Sequence, residues 1–153
     1  MSYVLQSTKW SSTAVDPDIQ SLIAGFYELA DEKSPDAGPR LAHEIFAPSG
    51  KLAGSTNTFN GREEISKSRD NAWGKVIARR HQVLQVFTND PDGHNLMILG
   101  VVKMTLWNGQ SLEMQFASRF VVDDNSLEGN NPRLSLVQVF ADSSPLVAAL
   151  KDA

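Results

Sequence analysis

The spacing of apolar residues changes once along the chain. In the first half they recur at helical intervals. Ile19, Leu22, Ile23, Phe26 and Ala30 share one face of a helix that Asp16-Pro17 opens and Ser34-Pro35-Asp36-Ala37-Gly38-Pro39 breaks. A second, shorter helix carries Leu41, Ile45 and Phe46 and ends at Pro48-Ser49-Gly50. Short extended pieces are expected at Lys51–Ala53 and near Thr56–Phe59, followed by a turn at Asn60-Gly61. A third helix places Ile65, Ala72, Trp73 and Val76 on one side, with Arg69 among them. From Arg79 the period becomes two, and four strands are predicted: Arg80–Thr88, Asn95–Trp107, Gln110–Val122 and Arg133–Ala141. Ser144-Pro145 opens a last helical turn through Leu150, whereas residues 1–15 carry no period and read as a flexible N-terminal arm before a single domain over 16–153.

Helices followed by a meander of strands predict an α+β fold with the helices on one face of a curved sheet. Asn108-Gly109 is a hairpin signal for a two-residue turn. That turn pairs Trp107 with Gln110, Met104 with Glu113, Val102 with Gln115, Gly100 with Ala117 and Ile98 with Arg119. Both sheet faces are then largely apolar, unlike a sheet that is wet on one side. The helices cover one face. The other needs a second cover, and another copy is the simplest, so a homodimer through the sheet is expected. The helix-covered face would hold Glu113, Gln115 and Arg119 beside the small Gly100 and Ala117, a combination that suits a cavity or, alternatively, polar strand ends in solvent.

Composition narrows the function classes. At 153 residues, 41% hydrophobic and 21% charged, the chain is an ordinary globular protein of one domain. Its net charge of -4 gives no basic face for phosphates, so no nucleic-acid partner is expected. It has no cysteine, which removes thiolate catalysis and cysteine-ligated metals. The first ten residues are polar and no stretch reaches the ~20 apolar residues of a membrane span, so no membrane partner and a cytoplasmic location are expected. His43, His81 and His94 show no metal-ligand spacing. With no Gly-rich phosphate loop and no G-x-S-x-G elbow, neither a metal nor a cofactor is expected.

Phe59-Asn60-Gly61-Arg62-Glu63-Glu64-Ile65, with Ser68-Arg69, Ala72-Trp73 and Arg80-His81, is similar to the SnoaL-like proteins of the nuclear-transport-factor-two-like superfamily. So is the stretch Ala117-Ser118-Arg119-Phe120-Val121-Val122-Asp123. The resemblance is closest to small members of fungal secondary-metabolite pathways and covers about residues 16 to 150. It implies a cone-shaped, strongly curved antiparallel sheet whose mouth three N-terminal helices close over one pocket, the cystatin-like α+β barrel arrangement. It also implies a cofactor-independent enzyme acting on a small hydrophobic polyketide-like substrate. Family chemistry includes cyclisation, lactone formation, isomerisation, dehydration and hydrolysis, and some members only bind, so fold alone does not choose among them.

The chemically capable residues sharpen that expectation. His81 suits proton transfer near neutral pH, and its strand opens where family pockets lie. Glu113, if buried, could act as base or acid. Arg119 has the fork for an oxyanion, or could pair with Glu113 or Asp123 as structure. Asp31 on the first helix could point into the cone mouth and assist His81. Arg69 could reach the pocket or pair with Glu28 or Asp31. Tyr27 and Trp73 are plausible walls, Gln115 shares the cavity face, and Gln138 is a lone polar residue between Leu136 and Phe140. His81, Arg119, Glu113 and Asp31 are thus the catalytic candidates, and Tyr27, Arg69, Trp73, Gln115 and Gln138 the substrate-binding ones.

Overall fold

A computed structural model describes residues 1–153. Helix α1 spans Pro17–Asp31 and begins where Asp16 Oδ1 accepts from the Asp18 backbone N–H at 2.8 Å. Helix α2, Ala37–Arg40, runs into a wide π-type turn over Leu41–Ile45. Strand β1 (Phe46–Ala53) begins earlier than expected, taking up Phe46, and β2 (Thr58–Asn60) follows. Helix α3 covers only Gly61–Ser66. The sequence predicted it as far as Val76. Instead, residues 67–75 form successive turns with i→i−3 hydrogen bonds, and Gly74 has φ +41°. The polar run from Ser66 to Asn71 offers no apolar stripe to hold a longer helix.

Strands β3 (Val76–Phe87), β4 (Asn95–Leu106), β5 (Ser111–Val122) and β6 (Leu134–Ala141) follow, with a short helix α4 (Asp124–Leu127) between β5 and β6 and a closing helix α5 (Ser144–Asp152). The six-stranded sheet has the order β2-β1-β6-β5-β4-β3. It is mixed rather than wholly antiparallel, because β1 runs parallel to β6. It does not close into a barrel. The α+β arrangement with helices over one face is as expected.

The register of the β4–β5 hairpin differs by one residue from the expected one. Leu106 N–H donates to Gln110 O at 2.8 Å and Gly109 N–H to Leu106 O at 2.9 Å, so the loop holds three residues, with Gly109 at φ +85°. Trp107 cannot pair with Gln110 because its N–H already serves Lys75 O at 2.9 Å. The slip turns every β5 side chain to the opposite face relative to β4. Gly100 now pairs with Phe116, Ile98 with Ser118 and Leu96 with Phe120 on the helix-covered side. Met97 pairs with Arg119, Leu99 with Ala117, Val101 with Gln115 and Lys103 with Glu113 on the outer side.

The core lies between α1 and the covered face. Phe26 meets Phe120 edge-on at 5.2 Å between ring centroids, and Tyr27 packs on Phe116 at 5.4 Å. Gly100 does not leave room for a cavity, contrary to the sequence expectation. The Phe116 ring fills that space, and a Cβ there would stand 2.3 Å from Phe116 Cζ.

Residues 1–15, expected as a flexible arm, dock along β3. Val83 N–H donates to Val4 O at 2.9 Å, Lys9 N–H to Leu84 O at 2.9 Å, and Val86 N–H to Lys9 O at 2.9 Å. Val4 is fully buried. The arm has no internal period because it pairs with a strand edge over a short length and packs only a few side chains inward.

Candidate active site

Between α1 and the covered sheet face lies a cavity of about 660 Å³. Helix α1 supplies Phe26, Tyr27 and Ala30, the turns after α3 supply Ser68 and Arg69, and β3 supplies Arg79 and His81. The floor is apolar, with Val102, Met104 and Phe116. The loop after β1 and the start of α5 complete the rim.

Its chemical centre is a pair made by two distant segments. Asp31, the last residue of α1, accepts from His81 twice: Oδ1 lies 2.5 Å from the ring Nδ1, and Oδ2 accepts the backbone N–H at 2.7 Å. The Tyr3 hydroxyl adds a third hydrogen bond to Oδ2 at 2.7 Å. This two-point grip fixes both the position and the tautomer of the imidazole. Nδ1 carries its proton toward the carboxylate, and Nε2 is left with a lone pair and no protein partner in a residue that lines the cavity. The Tyr27 ring packs beside the imidazole at 5.1 Å, and its hydroxyl donates to Ser118 Oγ at 3.2 Å. Ser118 is the one fully buried polar residue of the core.

Electrostatics keep His81 a base. Burial lowers its pKa below the usual 6.5; Asp31 pulls it back up, and the charges of Arg79 and Arg69 push it down again. The net direction is down, so the ring is neutral at neutral pH. Burial alone would raise the Asp31 pKa, but the His81 ring and backbone and the Tyr3 hydroxyl outweigh it and hold the carboxyl below its usual range. Burial raises the Tyr27 phenol well above its ordinary value, so it stays protonated.

Two arginines flank the pair. Arg69 Nη2 donates to Ala30 O at 2.5 Å, and Arg79 Nη2 to Ala72 O at 2.7 Å. The guanidinium of Arg79 lies 4.9 Å from the centre of the Trp73 ring. Burial, with the neighbouring Arg79 charge, brings the Arg69 pKa down to about 10, and burial lowers Arg79 too, yet both remain cations at neutral pH.

The sequence candidates therefore divide. Tyr27, Arg69 and His81 line the cavity, and Asp31 stands behind His81, held to its ring. Arg69 forms no ion pair with Glu28 or Asp31; Glu28 is engaged by Ser2. Trp73 stands behind the cavity as the surface on which Arg79 rests. Glu113 and Arg119 lie on the outer face through the register slip. Glu113 is 3.5 Å from Lys103, and Arg119 donates to Asn95 Oδ1 at 3.1 Å. Gln138 pairs with Arg119 across the sheet on that same outer face, so no buried partner is needed for it. Gln115 borders the cavity, but its side chain is exposed beside Val101 on the outer register.

Tyr3, Ser68 and Arg79 were missed. Alternation along β3 could have found Arg79, since it shares a face with His81 two residues on, and Arg80 correspondingly points outward over the Tyr3 ring at 3.9 Å. Nothing in the sequence signals Tyr3, because its contact is made 28 residues away by a segment without period.

No protein-family model and no curated protein matches the chain. Solved structures do. An NTF2-like protein of unknown function from Burkholderia pseudomallei K96243 superposes with a TM-score of 0.67 at 14% identity, over 88% of this chain and 97% of that one. A protein assigned to the SnoaL-like polyketide cyclases, from Shewanella denitrificans OS-217, gives 0.65 at 12% identity, over 90% and 100%. A hexachlorocyclohexane dehydrochlorinase gives 0.63 at 14% identity, over 82% and 83%. At such identities the likeness is one of fold. With its helices over one face of a six-stranded sheet and a cavity between them, this chain has the NTF2-like fold shared by SnoaL-like and ketosteroid-isomerase-like proteins.

Proposed function

We propose that this protein is a cofactor-independent enzyme that moves a proton on a small, largely apolar molecule held in the cavity, with His81 as the base and Asp31 as its anchor. One observation carries the reading: a carboxylate at the end of α1 grips both the ring and the backbone of His81, leaving Nε2 free in the cavity wall. A fixed tautomer with an unpartnered Nε2 beside an apolar chamber is the arrangement a general base needs. His81 takes a proton from an acidic C–H or O–H of the substrate. The resulting imidazolium is stabilised by Asp31, and it returns the proton to another atom of the same molecule. The chemistry suits cyclisation, lactone formation or isomerisation of a polyketide-type intermediate of secondary metabolism. The protein assigned to the polyketide cyclases and the dehydrochlorinase among the structural neighbours support an enzymatic reading of this fold. Hydrolysis would use the same base on a water molecule, dehydration would use it on a substrate C–H and return the proton to the neighbouring hydroxyl as it leaves as water, and a module that only binds a metabolite would use the cavity and not the pair.

The test is hydrogen–deuterium exchange at carbon in enolisable aromatic ketones, beginning with 2-tetralone, followed by NMR in D2O. The wild-type protein should accelerate exchange, and His81→Ala and Asp31→Asn should each lower the rate by about 10²–10⁴-fold, the usual contribution of a positioned base. Exchange undiminished in His81→Ala would remove the assignment. Binding of the ketones without any acceleration would favour the binding module.

The same reading includes a homodimer through the outer sheet face. Phe87, Met97, Leu99 and Phe140 are each 38–48% exposed there. Met97 is paired with Phe87, and Ala117 joins Leu99 to Phe140 across the neighbouring strands. An apolar patch of this extent on an antiparallel sheet calls for a cover, and a second copy of the same face supplies one.

A further inference from the structure

Three buried side-chain N or O atoms in the chain have no hydrogen-bond partner: Ser68 Oγ, Arg69 Nε and Arg79 Nη1. All three belong to residues that line the cavity beside His81. Buried polar groups are almost always paired, and buried cations more strictly still, so three orphans in one wall point to a ligand and not to chance. From this geometry we infer that Arg69, Arg79 and Ser68 form an anion subsite, and that the molecule bound in the cavity carries a planar oxyanion, a carboxylate or the vinylogous carboxylate of an acidic enol. The inference rests on the cavity being the substrate site, and it names the class of substrate.

The charge balance supports it. None of the five ion pairs in the chain involves Arg69 or Arg79. The nearest acid by its influence on both is Asp31, whose oxygens are already held by His81 and Tyr3. Asp142 also borders the cavity, but its carboxylate accepts from Ser144 through both N–H and Oγ. Each arginine spends one terminal nitrogen on a backbone carbonyl, of Ala30 and Ala72, which locks the guanidinium in place with its remaining edge unused. The cation–π contact with Trp73 fixes the plane of Arg79 as well. Two pre-positioned forks beside each other match the paired oxygens of a carboxylate or a 1,3-dioxo anion, where two lysines would offer only point charges.

The site also fits the chemistry of His81. Arg79 is two residues before His81 on the same face of β3, and Arg69 is tied to the residue before Asp31. An oxyanion held there places the adjoining carbon skeleton over the apolar floor and its acidic position toward Nε2.

Isothermal titration calorimetry with matched probes tests the inference. Cinnamate is compared with cinnamamide, and 4-hydroxycoumarin, an acidic enol, with coumarin, at neutral pH and low salt. Each anion should bind at least about tenfold more tightly than its neutral counterpart, as charge-assisted hydrogen bonds to two largely buried guanidinium groups require. The pair with the larger ratio identifies the source of the oxyanion. Arg69→Gln and Arg79→Gln should each reduce the ratio, and the double variant should bring it close to one while affinity for cinnamamide stays within about twofold. His81→Ala should keep the ratio, which separates this site from the proton chemistry: a wild-type protein that prefers the anions but does not accelerate exchange sinks the base and leaves the anion site standing. A wild-type ratio near one overturns the inference without recourse to any variant. So does a preference that survives the double substitution, or one that vanishes in His81→Ala.

Discussion

At the scale of single residues, the balance around His81 fixes a pH signature. Its pKa in the folded chain lies below the usual 6.5 because burial and two arginines outweigh Asp31. A base must be unprotonated to act, so turnover should be flat through neutral pH and fall only as the pH drops below about 6.5 and passes through the lowered pKa. Stability follows the same direction. The unfolded chain takes up the proton first, so stability is full above the unfolded value and declines as the pH falls toward the folded one. Asp31 adds a second decline at lower pH, since its folded pKa is also depressed and its contribution is lost as the carboxyl protonates. A pH–rate profile together with thermal melts between pH 8 and about 2 checks both. An activity limb centred above pH 7 would contradict this balance of charges. Replacing Tyr3 by Phe removes one of the hydrogen bonds that holds the carboxylate down, so the Asp31 decline should move upward.

At the scale of elements, the hairpin decides which residues face the cavity. The sequence carried the strands within a few residues and the position of the turn, yet its loop length was not legible. Asn108-Gly109 favours a two-residue turn locally, but the Trp107 N–H is claimed by the carbonyl of Lys75, just before β3, and tertiary pairing outweighs the local preference. That single residue moved Glu113 and Arg119 to the outer face. His81 and Asp31 stay paired at the cavity wall because β3 and α1 do not depend on the hairpin register. Gly100 gives the element its own test. A Cβ there would sit 2.6 Å from the Gln82 carbonyl oxygen as well as against Phe116, and the carbonyl is backbone that a rotamer change cannot move. Gly100→Ala should therefore cost about 1–3 kcal/mol, read as a lower denaturation midpoint with an unchanged denaturant slope. A midpoint equal to the wild type would mean that the sheet opens there more easily than its packing implies.

For the whole molecule, the two faces of the sheet do different work. The covered face encloses the cavity, and the outer face presents the exposed apolar cluster of Phe87, Met97, Leu99 and Phe140. The apolar outward residues of β4, Met97, Leu99 and Val101, were legible from the sequence, but the observed register sets Glu113, Gln115 and Arg119 of β5 beside them, so the outer face is mixed rather than apolar throughout. The assignment of the polar residues to faces was not legible, for the reason of register given above. Light scattering at micromolar concentration should give about twice the mass of one chain, and Leu99→Glu with Phe140→Glu should halve it while leaving the cavity intact. A monomeric wild-type mass would refute the dimer.

The docked N-terminal segment also governs how copies can meet. An outermost strand normally offers its free N–H and C=O groups to any extended chain, which is how sheets grow into fibres. On β3 the groups that would do so at Val83, Leu84 and Val86 are already bonded to Val4 and Lys9. The sheet is thus sealed against edge-to-edge polymerisation along this part of β3, and there association is directed to the faces. The same short segment sends Tyr3 to Asp31, so the residues that steady the carboxylate also guard the sheet against uncontrolled extension.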